Sequence, residues 1–249
     1  VSERFIKAGS GTEIIDWRLY GIPDGLNQQR VKSIAQTSKG NLWFAAFANR
    51  LSNGSTMVYD GAYFREVLFD ENSYGGIVSI DSEDNVWISG IIQDGTGWQF
   101  SLRIYDGRQW VSAHVPQQIS SSGITAMHNS SDGSTWLGTS HGVIKCFQNT
   151  MQLFTTDNGL LSNGVISILS DSKGKVWFGT LNGVSVYDGY QFINYTAADG
   201  LLNEKVRVIT EDYNGRIWLG TDGGLFSYHN DNINFFGKKS GLPEIPITA

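Results

Sequence analysis

The chain of 249 residues has one cysteine, four prolines and few charged residues, and these shortages exclude several classes of protein. Cys146 alone cannot form an intrachain disulfide or a cysteine-rich metal site. Charged residues make up 17% of the sequence, the net charge is −6, and the longest basic run is Lys238-Lys239. Because binding to a nucleic-acid backbone requires dense positive charge, we expect no nucleic-acid partner.

Long apolar runs are also missing. No run approaches the roughly 18 residues that a membrane span requires, so we expect no direct membrane insertion by this chain. The sequence begins at Val1 without a signal-like segment, which we interpret as a processed form or an excised piece. The sequence does contain 40% apolar residues, 12% aromatic residues and 30 glycines, a composition typical of a globular, turn-rich protein with a substantial core.

One segment recurs along the chain with a period of about 40 to 50 residues, and five of the eight tryptophans lie at the same position in it. The five lines that contain them are 40–44, 84–88, 134–138, 174–178 and 215–219. A fixed period of this length is typical of propeller blades and of solenoids. No copy has a helix-period stretch long enough for a helical solenoid, so propeller blades are favoured.

The copy at 165–205 shows what each repeat contains. Four short apolar or alternating segments are separated by the turns 171–174, 182–183 and 188–189, and the last two are Asn-Gly and Asp-Gly. Such pairs are strong hairpin signals, so the copy predicts four antiparallel strands in a meander. A sheet of this kind buries both faces only against its neighbours, and closing a ring removes its exposed edges. We therefore predict an all-β fold, a β-propeller of four-stranded antiparallel blades.

We predict a single domain over 1–249 with six blades. Segments 5–9 and 14–20 have the pattern of third and fourth strands, and 245–249 resembles a new first strand, so both termini would complete the sixth blade. An arc cut from a longer array is the alternative. The predicted boundaries are about 31–74, 75–123, 124–164, 165–205 and 206–246 for the five repeats, and 3–30 for the N-terminal half blade.

The line Trp-Leu-Gly-Thr-Asp-Gly-Gly-Leu at 218–225, with Asp-Gly-Leu at 199–201 before it, resembles the two-component regulator propeller repeat. Segments 177–184 and 136–143 match it equally well, whereas Ala45-Ala46 and Ser89-Gly90 replace its Gly-Thr in the first two copies. In that family the repeats form the periplasmic sensor region of bacterial hybrid histidine kinases and bind saccharides or other small ligands. Family sensors usually carry many more repeats, in paired propellers. The resemblance implies a propeller with a sensor role in signal transduction and a periplasmic or extracellular location.

Two copies carry longer segments between their second and third strands, at 47–54 and 91–100. Insertions on one face of a repeat protein often mark its binding face. Their side chains combine aromatic surfaces with hydrogen-bonding groups, which suits a polar or sugar-like ligand, although decorated surface loops without a ligand are the alternative. The candidate ligand-binding residues in these segments are Arg50, Gln93, Asp94, Trp98 and Phe100.

The loops between successive blades belong to the same predicted face and surround the mouth of the central channel. The recurring Asp, Gly, Leu and Asn residues there are types that turns require, whereas the arginines do not follow from the turn. The further ligand-binding candidates on this face are Arg30, His141, Asn182, Arg207 and Asp222.

Signals for metal binding or catalysis are weak. The four histidines lie in different strands or turns with no pair at ligand spacing, so we predict no metal, no cofactor and no catalytic residue. Carboxylates such as Asp81, Asp171 and Asp212 follow the first strand of their copies and are interpreted as turn residues on the opposite face.

The sequence therefore favours a non-catalytic sensing or binding propeller, whose partner is a small polar or carbohydrate-like ligand or a partner protein. Two alternatives stay open. Residues 39–44 also resemble the corresponding line of virginiamycin B lyase, a propeller enzyme, and a flat face could instead make the chain a protein-interaction scaffold.

Overall fold

The chain forms the predicted β-propeller of four-stranded antiparallel blades. The computed structural model describes residues 3–7, 14–18, 31–46, 56–67, 73–93, 98–113, 123–148, 150–201, 205–242 and 245–248. These residues form five four-stranded antiparallel sheets and one two-stranded sheet. Each four-stranded sheet is a meander, because its strands pair in the order in which they follow along the chain.

The strands are numbered β1 to β22 along the chain. The two-stranded sheet consists of β1 (Glu3–Lys7) and β2 (Ile14–Arg18). The first blade is β3 (Val31–Gln36), β4 (Leu42–Ala46), β5 (Thr56–Tyr59) and β6 (Phe64–Val67), and the second is β7 (Ser73–Ile80), β8 (Val86–Gln93), β9 (Trp98–Tyr105) and β10 (Trp110–Ala113). The third blade is β11 (Ala126–Asn129), β12 (Thr135–Thr139), β13 (Gly142–Phe147) and β14 (Thr150–Phe154), and the fourth is β15 (Val165–Ser170), β16 (Val176–Thr180), β17 (Gly183–Tyr187) and β18 (Phe192–Tyr195). The fifth blade is β19 (Val206–Glu211), β20 (Ile217–Thr221), β21 (Gly224–His229) and β22 (Asn232–Phe236).

Helical structure in the described ranges consists of short 3₁₀ turns that follow the fourth strands, at Thr156–Asn158, Ala197–Asp199 and Lys238–Ser240. No helix in these ranges has the length and apolar character needed to cross a membrane. The first two turns explain the recurring Gly-Leu pair after them. A left-handed glycine ends each turn, and the next residue, Leu160 or Leu201, is buried.

The blades stack side by side through their first strands. Strands β3, β7, β11 and β15 each contact the first strand of the next blade along the chain, which is β7, β11, β15 and β19 in turn. The first strands therefore lie innermost, and the later strands of each meander lie progressively farther out.

Aromatic rings fill the space between successive blades. Trp136 of the third blade is 1% exposed, and its ring lies 5.2 Å from Phe178 and 5.7 Å from Tyr187 of the fourth blade. Trp177 of the fourth blade lies 5.0 Å from Tyr228 of the fifth. Because burial of a large aromatic side chain removes much apolar surface from water, these contacts are the main attraction between blades.

An aspartate holds the repeat tryptophan in three of the five blades. It comes six residues before the tryptophan, in the turn between the first two strands, and one of its carboxylate oxygens accepts the indole N–H. The pairs are Trp87–Asp81 at 2.8 Å, Trp177–Asp171 at 2.8 Å and Trp218–Asp212 at 3.0 Å. The other carboxylate oxygen accepts backbone N–H groups of the same turn, so the turn carboxylates have the structural role that the sequence predicts.

The third blade lacks this pair. Ser130 stands six residues before Trp136, and the indole N–H of Trp136 is buried without a hydrogen-bond partner among the described residues. The ring is therefore retained by packing and by the ammonium group of Lys145, which lies 5.3 Å from the ring centroid.

The recurring Gly-Thr-x-x-Gly segment sets both a hairpin and the distance between blades. In the fourth blade the hydroxyl of Thr180 donates to the carbonyl of Gly183 at 2.9 Å, which closes the turn between β16 and β17. Gly183 has a φ of +131°, where a side chain would collide with the carbonyl oxygen of Tyr195. A Cβ at Gly179 would lie 2.8 Å from the carbonyl oxygen of Val206 in the fifth blade, so only glycine permits this approach.

The same approach occurs after the fifth blade. A Cβ at Gly220 would lie 3.0 Å from the carbonyl oxygen of Ile247, and the N–H of Ile247 donates to the carbonyl of Thr221 at 3.0 Å. Ile247 therefore takes, beside the fifth blade, the place that Val206 takes beside the fourth. This is the position at which a further first strand would begin. A sixth blade completed by both termini and the domain boundaries stay predictions.

We expect Asp171→Ala to lower the free energy of unfolding by about 2 kcal/mol, because the buried N–H of Trp177 loses its acceptor and two backbone N–H groups lose theirs. Denaturant unfolding followed by tryptophan fluorescence measures the change. Asp157→Ala, in an exposed 3₁₀ turn, is the control and should change stability little. Equal effects of the two substitutions would contradict the role of the indole hydrogen bond.

Gly179→Ala should cost more stability than Gly189→Ala. At Gly189 the φ of +101° is unfavourable for alanine, but nothing lies within 4 Å of the added methyl group. At Gly179 the methyl group meets the backbone of the next blade, which cannot move without separating the two blades. Thermal unfolding of both variants tests the difference, and a larger loss at Gly189 would show that blade spacing does not depend on this contact.

Candidate functional site

The insertion in the second copy extends the sheet. Strands β7, β8 and β9 each have eight residues, and their pairing continues to Ser73↔Ile92 and Gln93↔Trp98. The prediction of a long loop over 91–100 is therefore wrong for 91–93 and 98–100. Ile91, Ile92, Trp98 and Phe100 are β-branched or aromatic residues, which favour strands, and the backbone continues the ladder there instead of leaving it.

Phe100 belongs to the core. It is 9% exposed and packs in a cluster with Ile77, Leu102, Ile124 and Leu137, which joins the second blade to the third. Phe100 was predicted to offer an aromatic surface to a ligand. In the structure its ring is covered by neighbouring strands, so it packs in the core instead.

The other residues predicted in the insertions are placed only in part. Gln93 and Trp98 lie opposite each other at the end of the β8–β9 hairpin. Arg30, Arg50 and Asp94 lie outside the described residues.

The turns between second and third strands of the third to fifth blades carry three further candidates. All blades have the same strand order, so these turns lie at the same face as the end of the β8–β9 hairpin. His141 is exposed, and its Nδ1 lies 2.9 Å from the hydroxyl of Ser140. Asn182 is exposed, and its backbone N–H donates to Thr180 at 3.1 Å. The hairpin motif thus fixes the backbone and leaves the side chains at the surface.

Arg207 and Asp222 form an ion pair, which the sequence did not reveal. The guanidinium Nε donates to the Asp222 carboxylate, and each side chain is about one third exposed (32% and 33%). The hydrogen bond from Arg207 holds the pKa of Asp222 below its usual range, and Asp222 in turn raises the pKa of Arg207. A ligand at this face therefore meets a neutral, polar pair and not a free cation.

His128 is a half-buried histidine in the innermost strand of the third blade. Its Nε2 accepts the backbone N–H of Ser170 in the fourth blade at 2.9 Å, so the ring must be neutral for this contact. Burial lowers the pKa of His128, which favours the same form. The histidine thus joins two blades. Among the described residues there is no group of three His, Cys, Asp or Glu side chains that could hold a metal ion.

Two clefts lie at the opposite face, where the turns between first and second strands are found. One cleft, of about 510 Å³, separates the first and second blades, and one of about 990 Å³ separates the second and third. The larger cleft was not predicted from the sequence. The signal for it was present, since Cys146 stands in the third copy where each of the other four copies has a tyrosine, as at Tyr187.

The sequence pattern described as "two component regulator propeller" matches three segments of the chain, 25–48, 159–182 and 200–223. The last two include the Gly-Thr pairs of the second strands in the fourth and fifth blades, Gly179-Thr180 and Gly220-Thr221. The resemblance to this repeat family is thereby confirmed. No curated protein sequence matches the chain significantly.

Several solved structures share the fold. The extracellular domain assigned to a hybrid two component system of B. thetaiotaomicron has a TM-score of 0.71 and 22% identity, over 88% of this chain and 30% of that one. Virginiamycin B lyase from Staphylococcus aureus has a TM-score of 0.64 and 11% identity, over 84% and 70%. A gluconolactonase from Xanthomonas campestris has a TM-score of 0.54 and 12% identity, over 76% and 68%. This chain thus spans less than a third of the two-component protein's extracellular domain, and both that domain and enzymes share its architecture.

The depressed pKa of His128 predicts that stability falls on mild acidification. The folded state binds the proton more weakly than the unfolded chain, so the contribution is complete above the ordinary pKa of about 6.5 and is lost as the pH falls below it. We expect the melting temperature to drop between pH 7.5 and 5.5 in the native protein and less in His128→Gln. His141→Gln is the control and should keep the native slope, and equal slopes in all three proteins would refute the prediction.

Proposed function

We propose that this chain, which carries repeats of the two-component regulator propeller family, is a non-catalytic sensing propeller that binds a small polar or carbohydrate-like ligand. The feature that carries the proposal is the extended β8–β9 hairpin. Strands β7 to β9 have eight residues, whereas the strands of the other described blades have four to six. The second blade therefore projects beyond its neighbours at the face where the turns between second and third strands lie.

The ligand site at this face is proposed to combine the end of the hairpin with the neighbouring turns and loops. Loops on a rigid scaffold commonly carry binding residues, and polar groups beside an aromatic side chain suit a hydroxyl-rich ligand. The residues assigned to it are Arg30, Arg50, Gln93, Asp94, Trp98, His141, Asn182, Arg207 and Asp222.

A ligand held between blades would act on their packing. The blades contact each other through aromatic rings and close backbone approaches, so a ligand that touches two blades stabilises one spacing between them. Such a shift in blade packing or assembly is the signal that we propose. The repeat family supports a periplasmic or extracellular location for this role.

An enzyme remains the alternative to a sensor. Its support is the shared fold with virginiamycin B lyase and gluconolactonase at 11% and 12% identity, and a fold alone does not determine chemistry. A sensor is favoured because the repeat pattern matches the regulator family.

The test is a thermal-shift screen against monosaccharides, glycan fragments, amino acids and divalent cations. A ligand that binds only the folded state at 100 times its Kd stabilises it by about 2.7 kcal/mol. We expect a carbohydrate or other polar compound to raise the melting temperature, and we expect the Arg50→Ala, Trp98→Ala double variant to abolish the shift. Tyr190→Ala, an exposed residue in the turn between β17 and β18, is the control and should retain it.

The other outcomes each contradict the proposal in a different way. A shift that persists in the double variant would move the site away from the hairpin. A response to divalent cations alone would favour a lyase-like enzyme. No response to any compound would favour a propeller whose partner is another protein.

A further inference from the structure

The third blade lacks the tyrosine that the other four blades place at one repeat position. In the other four blades the third strand carries a tyrosine there, and a large side chain lies directly opposite it on the fourth strand. The pairs are Tyr59–Phe64, Tyr105–Trp110, Tyr187–Phe192 and Tyr228–Ile233, and in the third blade the pair is Cys146–Met151.

The tyrosine that the third blade lacks has a defined role in the other blades. Between blades, the tyrosine of one blade lies against the repeat tryptophan of the blade before it. The ring distances are 6.0 Å for Trp43–Tyr105, 5.7 Å for Trp136–Tyr187 and 5.0 Å for Trp177–Tyr228. The corresponding partner of Trp87 is Cys146, which is smaller by a whole phenol ring.

The space between the second and third blades is open as a result. Its cleft of about 990 Å³ is lined by Trp87, Cys146 and Met151, whereas the cleft beside Tyr105 and Trp110 has about half that volume. Trp87 is only half-buried, in contrast to the fully buried tryptophans of the third and fourth blades. The volume lies at the upper end of the range for small-molecule sites.

The lining joins an apolar wall to an acidic rim. Ile104 and Val111 extend the wall formed by Trp87, and burial raises the pKa of the Cys146 thiol to about 12, so that it remains protonated and apolar. Three carboxylates, those of Asp81, Glu83 and Asp132, also line the cleft, and no lysine or arginine is among the lining residues that the structure describes.

The three carboxylates differ in the hydrogen bonds and ion pairs that they already form within the protein. Asp81 accepts the indole N–H of Trp87 and N–H groups of its own turn. Asp132 accepts the N–H and hydroxyl of Ser134 and lies 3.7 Å from Lys145. Glu83 is exposed at the edge of the cleft, and the one hydrogen bond that its carboxylate accepts from the described residues is a long contact of 3.5 Å from the Asn85 side chain. Glu83 is therefore the carboxylate most available to a ligand.

We propose that this cleft is a second binding site, specific for an organic cation whose apolar body packs on Trp87 and whose ammonium group lies at the acidic rim. An aromatic or aliphatic body replaces the absent tyrosine ring, and the carboxylates attract the charge within a cleft whose apolar walls weaken screening. The site is on the face opposite the β8–β9 hairpin, so it does not depend on the ligand proposed there.

Isothermal titration calorimetry with two compounds that share an indole ring and carry opposite charges tests the proposal. Tryptamine carries an ammonium group on an indole, and indole-3-acetate carries a carboxylate. We expect tryptamine to bind at least about tenfold more tightly, because the rim is acidic. Equal affinity of the two compounds, or no binding of tryptamine, would overturn the proposal.

The double variant Cys146→Tyr, Met151→Phe restores the aromatic pair of the fourth blade. We expect it to fill the cleft, abolish tryptamine binding and raise the melting temperature. Tryptamine binding that survives in the filled variant would place the compound elsewhere and refute the site.

Glu83→Gln tests the rim without altering the core, in case the filled variant does not fold. The loss of one exposed charge should weaken tryptamine binding by roughly three- to fivefold. Asp157→Asn, which removes an exposed carboxylate outside the cleft, is the matched control and should leave the affinity unchanged. An equal loss in both variants would indicate non-specific attraction to an acidic protein.

The Arg50→Ala, Trp98→Ala variant should bind tryptamine as the native chain does, which separates this site from the one at the hairpin.

Discussion

Packing between adjacent blades is the interaction on which the rest of the structure depends. A four-stranded meander has two faces, and one blade alone cannot remove both from water. Trp136 illustrates the solution, because its indole N–H has no partner among the described residues and yet its ring is 1% exposed. The rings of Phe178 and Tyr187 from the next blade enclose it. Contact between blades therefore holds the ring where the aspartate of other copies is absent.

Close approach of the backbones imposes a second constraint, which the copies satisfy in different ways. The last three blades use a glycine on the second strand. In the second blade Ser89 replaces this glycine, and the hydroxyl of Ser89 accepts the N–H of Ile77 at 2.8 Å. A Cβ at Gly76 on the first strand would lie 2.8 Å from the carbonyl oxygen of Ser89, so glycine at 76 leaves room for the serine within the blade.

The two proposed sites arise from the repeat by opposite routes. At one face the second blade gains residues, which extend the β8–β9 hairpin beyond its neighbours. At the other face the third blade loses a tyrosine, and Cys146 leaves the cleft beside Trp87 open. Both changes keep the four-stranded meander of their blades, so the chain can vary its surfaces without loss of the fold.

The period of the tryptophans, the Asp-Gly and Asn-Gly turns and the Gly-Thr-x-x-Gly segments determined the propeller and its four-stranded blades, because these signals are local and repeat along the chain. Tertiary structure alone decided three other points. Phe100 became a core residue because strands distant in sequence cover it. Arg207 and Asp222 became an ion pair because the start of β19 lies beside the turn between β20 and β21. The cleft at Trp87 opened because its partner comes from another blade. Each depends on residues brought together only by folding, which a pattern read along one copy does not contain.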